Sequence, residues 1–274
     1  MSVKNIFLFK PNLKVYIALL IVAIAAMVAL YRCSSHGMKQ NLFAGSKGDT
    51  IDVAIEYSPM SLYMYDDTLG GFNYDLLNLM AKEENIDIKM HPIVNLKKTL
   101  EDLDKGLYDI VAAQIPATVE FKRRYLFSDS IYLDRQVLVQ LKDSLGNCKV
   151  KSQLDLTGKT LHVADGSPAI SRINNLSREL GDTISIVREK RYGQEQLFLM
   201  VASGEIDYAV INYKVAHSLS NKYPAVDIST AVSFNQLQSW ALRKDAVKLK
   251  DSLDVWLKKV RVTDAYKNIY SRYF

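Results

Sequence analysis

Two stretches of this chain, LKKTLEDLDKGLYDIVAA at 96–113 and LFLMVASGEIDYAVI at 197–211, follow one pattern: helix, glycine, two residues, aspartate, strand. Gly106 and Gly204 stand where a helix ends on a left-handed residue, a conformation glycine adopts without steric cost. Short β-branched runs alternating with amphipathic helices build a parallel or mixed sheet covered by helices, and a unit that recurs points to two similar α/β lobes. IDVAIE at 51–56 reads as a first strand. In YDLLNLMAKEEN the residues Leu76, Leu77, Met80 and Ala81 share one helical face, with Asn73 placed to cap it. After the second unit, residues 247–260 put Leu249, Leu253, Trp256, Leu257 and Val260 on one face of a long helix, and AYKNIYSRYF adds a terminal one. These helices either cap the second lobe or mark a return of the chain to the first.

The 274 residues, 49% of them hydrophobic, can bury a core of that size, so disorder is excluded as the general state. The net charge of +5 is not spread along the chain. Lys4, Lys10, Lys14 and Arg32 hold four of those charges within the first 37 residues, which contain no acid, and residues 38–274 balance 31 basic against 30 acidic side chains. A near-neutral remainder removes the electrostatic case for a nucleic-acid partner. The positive charge instead flanks VYIALLIVAIAAMVALY, residues 15–31, an uncharged run at the short end of what spans a bilayer. Lysines before the run place the N-terminus in the cytoplasm and the domain in the periplasm, as a single-pass inner-membrane protein. A cleaved signal peptide, leaving a soluble periplasmic domain, is the alternative. Tyr31 and Arg32 are bulky and charged where lipid attachment at Cys33 needs small residues. With Cys148 as its distant companion, no structural disulfide is expected.

Enzyme motifs are lacking. The four histidines, at 36, 91, 162 and 217, are widely separated, and no H-E-x-x-H, C-x-x-C or G-x-S-x-G occurs. The expectation is a binding protein without catalysis, metal or cofactor. Ser167 followed by Pro168 reads as an N-cap and first helical residue, so free amides there could meet a polar oxygen. Glu56 and Tyr57 end the first strand, at the carboxyl end where α/β sheets place ligands. Tyr57, Tyr63 and Tyr65 have the flat, amphipathic faces that stack on sugars or apolar groups. In IPATVEFKRRYLFSDSIY, Lys122, Arg123 and Arg124 read as the solvated face of a short helix.

At these residues the chain resembles a known family. GGFNYDLLNLMA is similar to the GF-x-x-DL signature of the bacterial solute-binding proteins of family 3, FSDSIY to that family's FSDPYY, and LTGKTLHVADGS to its entry into the second lobe. Within the family, YSPMSLY, NLKKTLEDLDKG and GEIDYAVINYKVAHSL most resemble the non-catalytic N-terminal module of membrane-bound lytic transglycosylases of the F type. The resemblance implies an α/β, two-lobed periplasmic-binding-protein fold of type II with a hinge between lobes, preceded by an N-terminal transmembrane helix. It divides the chain into a stub and anchor at 1–37, a linker at 38–49, a first lobe from 50–137 with 236–274, and a second lobe at 138–235. The crossovers are expected near Gln136–Leu141 and Val232–Ser239.

The resemblance also implies a small-molecule ligand between the lobes, amino-acid-like, peptide or cell-wall fragment. The partner would be an ABC permease or a cell-wall enzyme, and the function solute binding for transport or, alternatively, ligand sensing in peptidoglycan metabolism without lytic activity. Counting back from FSD, Phe121 falls where the family's amino-acid binders carry the arginine that grips the ligand carboxylate. Gln114 and Pro116 fall on a small polar pair, and Asn212 on the aspartate that meets the ligand ammonium. Both charges are replaced by neutral groups, a self-consistent change, because losing one and keeping its partner would leave a buried charge alone. Such a cleft suits a neutral or differently charged ligand.

Overall fold

The computed structural model describes residues 50–274 and, ahead of them, Val22, Ile24 and Met27 in helical conformation. The expected anchor at 15–31, the stub and the linker thus lie almost wholly outside the described residues, among which no helix is long and apolar enough to cross a membrane.

The first sheet is built from β1 (Thr50–Glu56), β4 (Asp87–Ile93), β5 (Ile110–Pro116), β6 (Tyr125–Phe127), β7 (Tyr132–Asp134) and β13 (Gln236–Arg243). Its order is β4-β1-β5-β13-β6, with β7 also on β13. β4, β1 and β5 are parallel, while β13 runs against β5. β5 is buried along its whole length, the expected state of a central strand covered on both faces. The second sheet has the order β10-β9-β11-β8-β12. It contains β8 (Gln136–Leu141), β9 (Thr160–Ala164), β10 (Ser185–Glu189), β11 (Tyr208–Asn212) and β12 (Val226–Asp227).

Helices α1 (Phe72–Glu84), α2 (Leu96–Asp104) and α3 (Val119–Arg124) belong to the first sheet. Helices α4 (Ala169–Leu180), α5 (Gln194–Ala202) and α6 (Tyr213–Ser220) belong to the second. A hairpin of β2 (Tyr63–Tyr65) and β3 (Thr68–Gly70) stands beside α1.

The two equivalent joints appear as expected: Gly106 has φ 76° and Gly204 φ 78°. Their aspartates diverge. Asp109 is buried and accepts the Asp52 amide, whereas Asp207 is exposed. The terminal helices α7 (Val247–Arg261) and α8 (Asp264–Tyr273) return to the first lobe and pack on α1. Leu249, Leu253, Leu257 and Val260 are buried as the spacing predicts, with Trp256 half-buried.

Two expectations need correction. Gln136–Leu141 is not a crossover but a full strand of the second sheet, antiparallel to β11, so the change of sheet falls at Arg135. Asn73 does not cap α1. It lies inside the helix, where its amide bridges Trp240 Nε1 at 3.1 Å and Ser61 Oγ at 2.8 Å, and Gly71 precedes the helix instead. Gly71 has φ 127°, and a Cβ there would lie 2.2 Å from the Ser61 carbonyl oxygen. The GF-x-x-DL segment is therefore a structural pin: the glycine admits a close backbone crossing, and Phe72 fills a cluster with Tyr132, Tyr273 and Phe274. The FSDS segment is pinned likewise, Ser128 exchanging hydrogen bonds with the Trp240 backbone and Asp254 of α7 accepting from the Asp129 amide.

Candidate functional site: an amide-lined cleft between the lobes

The carboxyl ends of the two parallel strand sets face each other. Glu56 ends β1 and Gln114 lies near the end of β5 in the first lobe; Asn212 ends β11, Ser167 follows β9, and Gln194 opens α5 in the second. All five line one cavity of about 20 Å³, room for roughly one water. The lobes meet there through amides. Gln194 Nε2 donates to Glu56 Oε1 at 2.9 Å, and Gln194 Oε1 accepts the Asn212 amide at 2.7 Å. Asn212 Nδ2 donates to Gln114 Oε1, and Gln136 Nε2 to Asn212 Oδ1 at 3.4 Å. The Gln114 backbone amide reaches Glu56 Oε2 at 3.3 Å.

Lost hydration raises the Glu56 carboxyl above the usual carboxylate range, against the opposing pull of the Gln194 and Gln114 hydrogen bonds. No cation faces it in this cavity lining. Gln114 Nε2 is buried without a hydrogen-bond partner. The cleft therefore presents one carboxyl and one spare amide donor, a set able to hold a neutral or cationic polar group.

Four of the residues singled out from sequence, Glu56, Gln114, Ser167 and Asn212, are brought together here. The Ser167 hydroxyl accepts the Ala169 amide at 3.2 Å, but α4 begins at Ala169 with Pro168 as its N-cap, one residue later than the sequence suggested. The other four lie elsewhere. Phe121, in α3, packs its ring partly against the first-lobe core and lines an adjoining cavity of about 420 Å³ with Ser167 and Asp165. Lys122, Arg123 and Arg124 are exposed, and Arg124 pairs with Asp104 at 2.7 Å. Tyr57 and Tyr63 line a separate groove beside the hairpin. Pro116 is buried opposite Gln238 in β13 and lines none of these cavities.

Further contacts hold the lobes together around the cleft. Ser171 Oγ donates to Glu120 at 2.6 Å, and Asn95 Nδ2 to the Lys190 carbonyl at 2.7 Å. Gly166, with φ 85°, approaches the Lys97 backbone so closely that a Cβ would lie 2.6 Å from its nitrogen. On the crossover, the Asp134 carboxylate of β7 accepts the Arg135 amide at 2.8 Å and the Lys214 amide of α6 at 3.3 Å. Burial pushes Asp134 up to about 6.

Sequence reasoning missed Gln194. The internal repeat held the signal: Leu96 and Gln194 each open a helix ten residues before its closing glycine, and both line the cleft.

Two α/β lobes, joined by two crossing segments, with binding groups at facing strand ends, define the two-lobed periplasmic-binding-protein class. The model of the bacterial extracellular solute-binding proteins, family 3, matches residues 50–274, and the chain belongs to that family. Among relatives, the membrane-bound lytic murein transglycosylase F of Desulfosudis oleivorans is 26% identical over 265 residues, covering 97% of this chain and 57% of that protein. The one of Aeromonas hydrophila is 27% identical over 225 residues, 82% of this chain and 44% of its own length. The chain thus spans about half the length of these relatives.

Among solved structures, an ancestral arginine-binding protein bound to arginine superposes with a TM-score of 0.72 at 24% identity, covering 84% of this chain and all of the other. The holo arginine-binding protein of T. maritima gives 0.66 at 23%, covering 82% and 96%.

Proposed function

We propose that residues 50–274 are an extracytoplasmic solute-binding domain, held at the inner membrane by the segment 15–31, that takes a small neutral or cationic polar ligand between its lobes. The observation carrying this reading is the cleft itself: Glu56 accepts the Gln194 amide of the second lobe and the Gln114 backbone amide of its own, beside the unpaired Gln114 Nε2. An α-amino acid needs a cation for its carboxylate; the cavity around Glu56 contains none, and Lys97, Arg124 and Arg188 stand instead in the adjoining cavity of Phe121. Lys122 and Arg123, the cations next in sequence to the Phe121 position, are exposed. The domain binds without chemistry of its own, and an ABC permease would be its partner in transport.

A second reading is supported by the relatives named as lytic murein transglycosylases: a ligand-sensing module serving a cell-wall enzyme. A thermal-shift screen of the full chain against amino acids, cationic amines, neutral sugars and muropeptides tests both. Stabilisation by amines or neutral polar solutes supports the binding reading. Response to muropeptides alone favours the sensing one. Stabilisation by free α-amino acids overturns the ligand class. Recovery of the native chain in the soluble fraction, with a new N-terminus after residue 25, would replace the anchor by a cleaved signal.

A further inference from the structure

We propose that the groove between the β2–β3 hairpin and helices α5 and α6 is a second ligand site, and that it takes an uncharged oligosaccharide. The groove encloses about 860 Å³, inside the range of roughly 300–1,000 Å³ typical of small-ligand sites. The amide-lined cleft, by contrast, leaves about 20 Å³.

Its walls combine tyrosines with the apolar side chains of Met60, Met64, Leu69 and Leu219. Tyr57, Tyr63, Tyr65 and Tyr273 line it, with Tyr65 70% and Tyr57 44% exposed. Asp66 at φ 45° and Asp67 at φ 60° form a tight two-residue turn whose backbone twist matches that of the flanking strands, and this presents Tyr65 at the hairpin end. Tyr63 lies against Gly70, where a Cβ would come 3.0 Å from its phenol end, so the glycine makes room for that ring. An aromatic face with a hydroxyl at its edge suits a sugar ring, which has an apolar C–H face and a polar rim.

Charge narrows the occupant. Lys222 and Arg272 oppose Asp66, Asp75 and Glu195 around the groove. Asp75 is already engaged by the Tyr273 hydroxyl at 2.9 Å and by Arg272 at 3.1 Å. No single-sign field remains to select a polyanion or polycation. The hairpin strands, three residues each, offer too short an edge for an added peptide strand. Polar groups of mixed sign at the rim match hydroxyls and acetamido groups. Because Glu195, Ser218 and Lys222 come from the second lobe and the tyrosines from the first, a bound oligosaccharide would bridge the lobes. Glu195 also directly follows Gln194 of the cleft.

Calorimetric titration of the full chain in mild detergent with chitotriose tests this. Saturable binding is expected, weakened roughly three- to tenfold in each of Tyr65→Ala and Tyr57→Ala, the factor of one lost aromatic contact, and retained in the cleft variant Gln114→Ala. Absence of saturable binding into the millimolar range overturns the proposal. So does binding that survives both tyrosine changes but is lost in Gln114→Ala, which would seat the sugar in the cleft. A sugar-independent dimer that Tyr65→Ala dissolves would assign the groove to a second copy and overturn it too.

Discussion

Gln194 of the second lobe donates its side-chain amide to Glu56 of the first at 2.9 Å, while its carbonyl oxygen takes the Asn212 amide at 2.7 Å. One side chain thus occupies the middle of the cleft and ties the lobes. Removing it as Gln194→Ala deprives Glu56 Oε1 and the Asn212 backbone amide of these partners, a cost of about 1.5–3 kcal/mol for a bond to a carboxyl. At a domain of this size that lowers the melting temperature by roughly 3–10 °C. Small-angle scattering should also show a larger radius of gyration. Unchanged melting and scattering would mean the bond contributes nothing to closure.

Gly166 permits the close approach of the lobes. Gly166→Ala puts a Cβ against the Lys97 backbone, which cannot yield as a flexible side chain would. Gly146→Ala is the matching control, since it has a similar φ of 80° with nothing within 4 Å. Both pay the left-handed strain of about 1–2 kcal/mol, but only Gly166→Ala should hold the lobes apart in scattering. An equally compact Gly166→Ala protein would refute the steric argument.

The family resemblance puts the neutral Phe121 and Asn212 at the positions of its two charged anchors, and on that reading we predict weak amino-acid binding. A buried carboxylate pair and an ammonium contact are each worth roughly 1.5–3 kcal/mol, so their joint loss costs on the order of 10²–10⁴ in affinity. Phe121→Arg with Asn212→Asp should restore measurable binding of arginine or glutamine by calorimetry. Micromolar binding of a free α-amino acid to the wild type, abolished in Arg123→Ala, would show that the neighbouring cation had taken over.

Asp134 predicts a pH dependence at the crossover. Burial raises its folded value to about 6 from the ordinary 3.8, so between these values the folded state holds a proton that the unfolded chain has released. Stability contributed by that proton is full below pH 4 and is lost as pH rises through 6. Lys214 and Arg135 face this carboxylate and pull in the opposite sense. Asp134→Asn keeps an acceptor for the Arg135 and Lys214 amides and should flatten the fall in unfolding free energy between pH 4 and 6 by up to ~3 kcal/mol. An identical slope in the variant would place the titration elsewhere.

Periodicity and two glycines carried the lobed α/β architecture in the sequence, because helix faces and helix-ending glycines are local requirements that any fold must satisfy within a few residues. Leu249, Leu253, Leu257 and Val260 could be read as one buried face for the same reason. The carboxyl end of the first strand was also legible, and Glu56 with it, whereas Gln114 and Asn212 were singled out by the family resemblance and Ser167 by the Ser-Pro pair; the structure sets all four around one small cavity.

What the sequence left open is pairing across distance. Residues 136–141 look alike as strand or connector until β11 lies beside them, and Asn73 reads as a cap until Trp240 arrives to take its amide oxygen. Gln194 is an unremarkable polar residue at a helix start; only the meeting of two lobes, 138 positions apart in the chain, sets it against Glu56. A hydrogen bond between lobes depends on where whole sheets come to rest. No local pattern encodes that position, so the tertiary structure alone decided it.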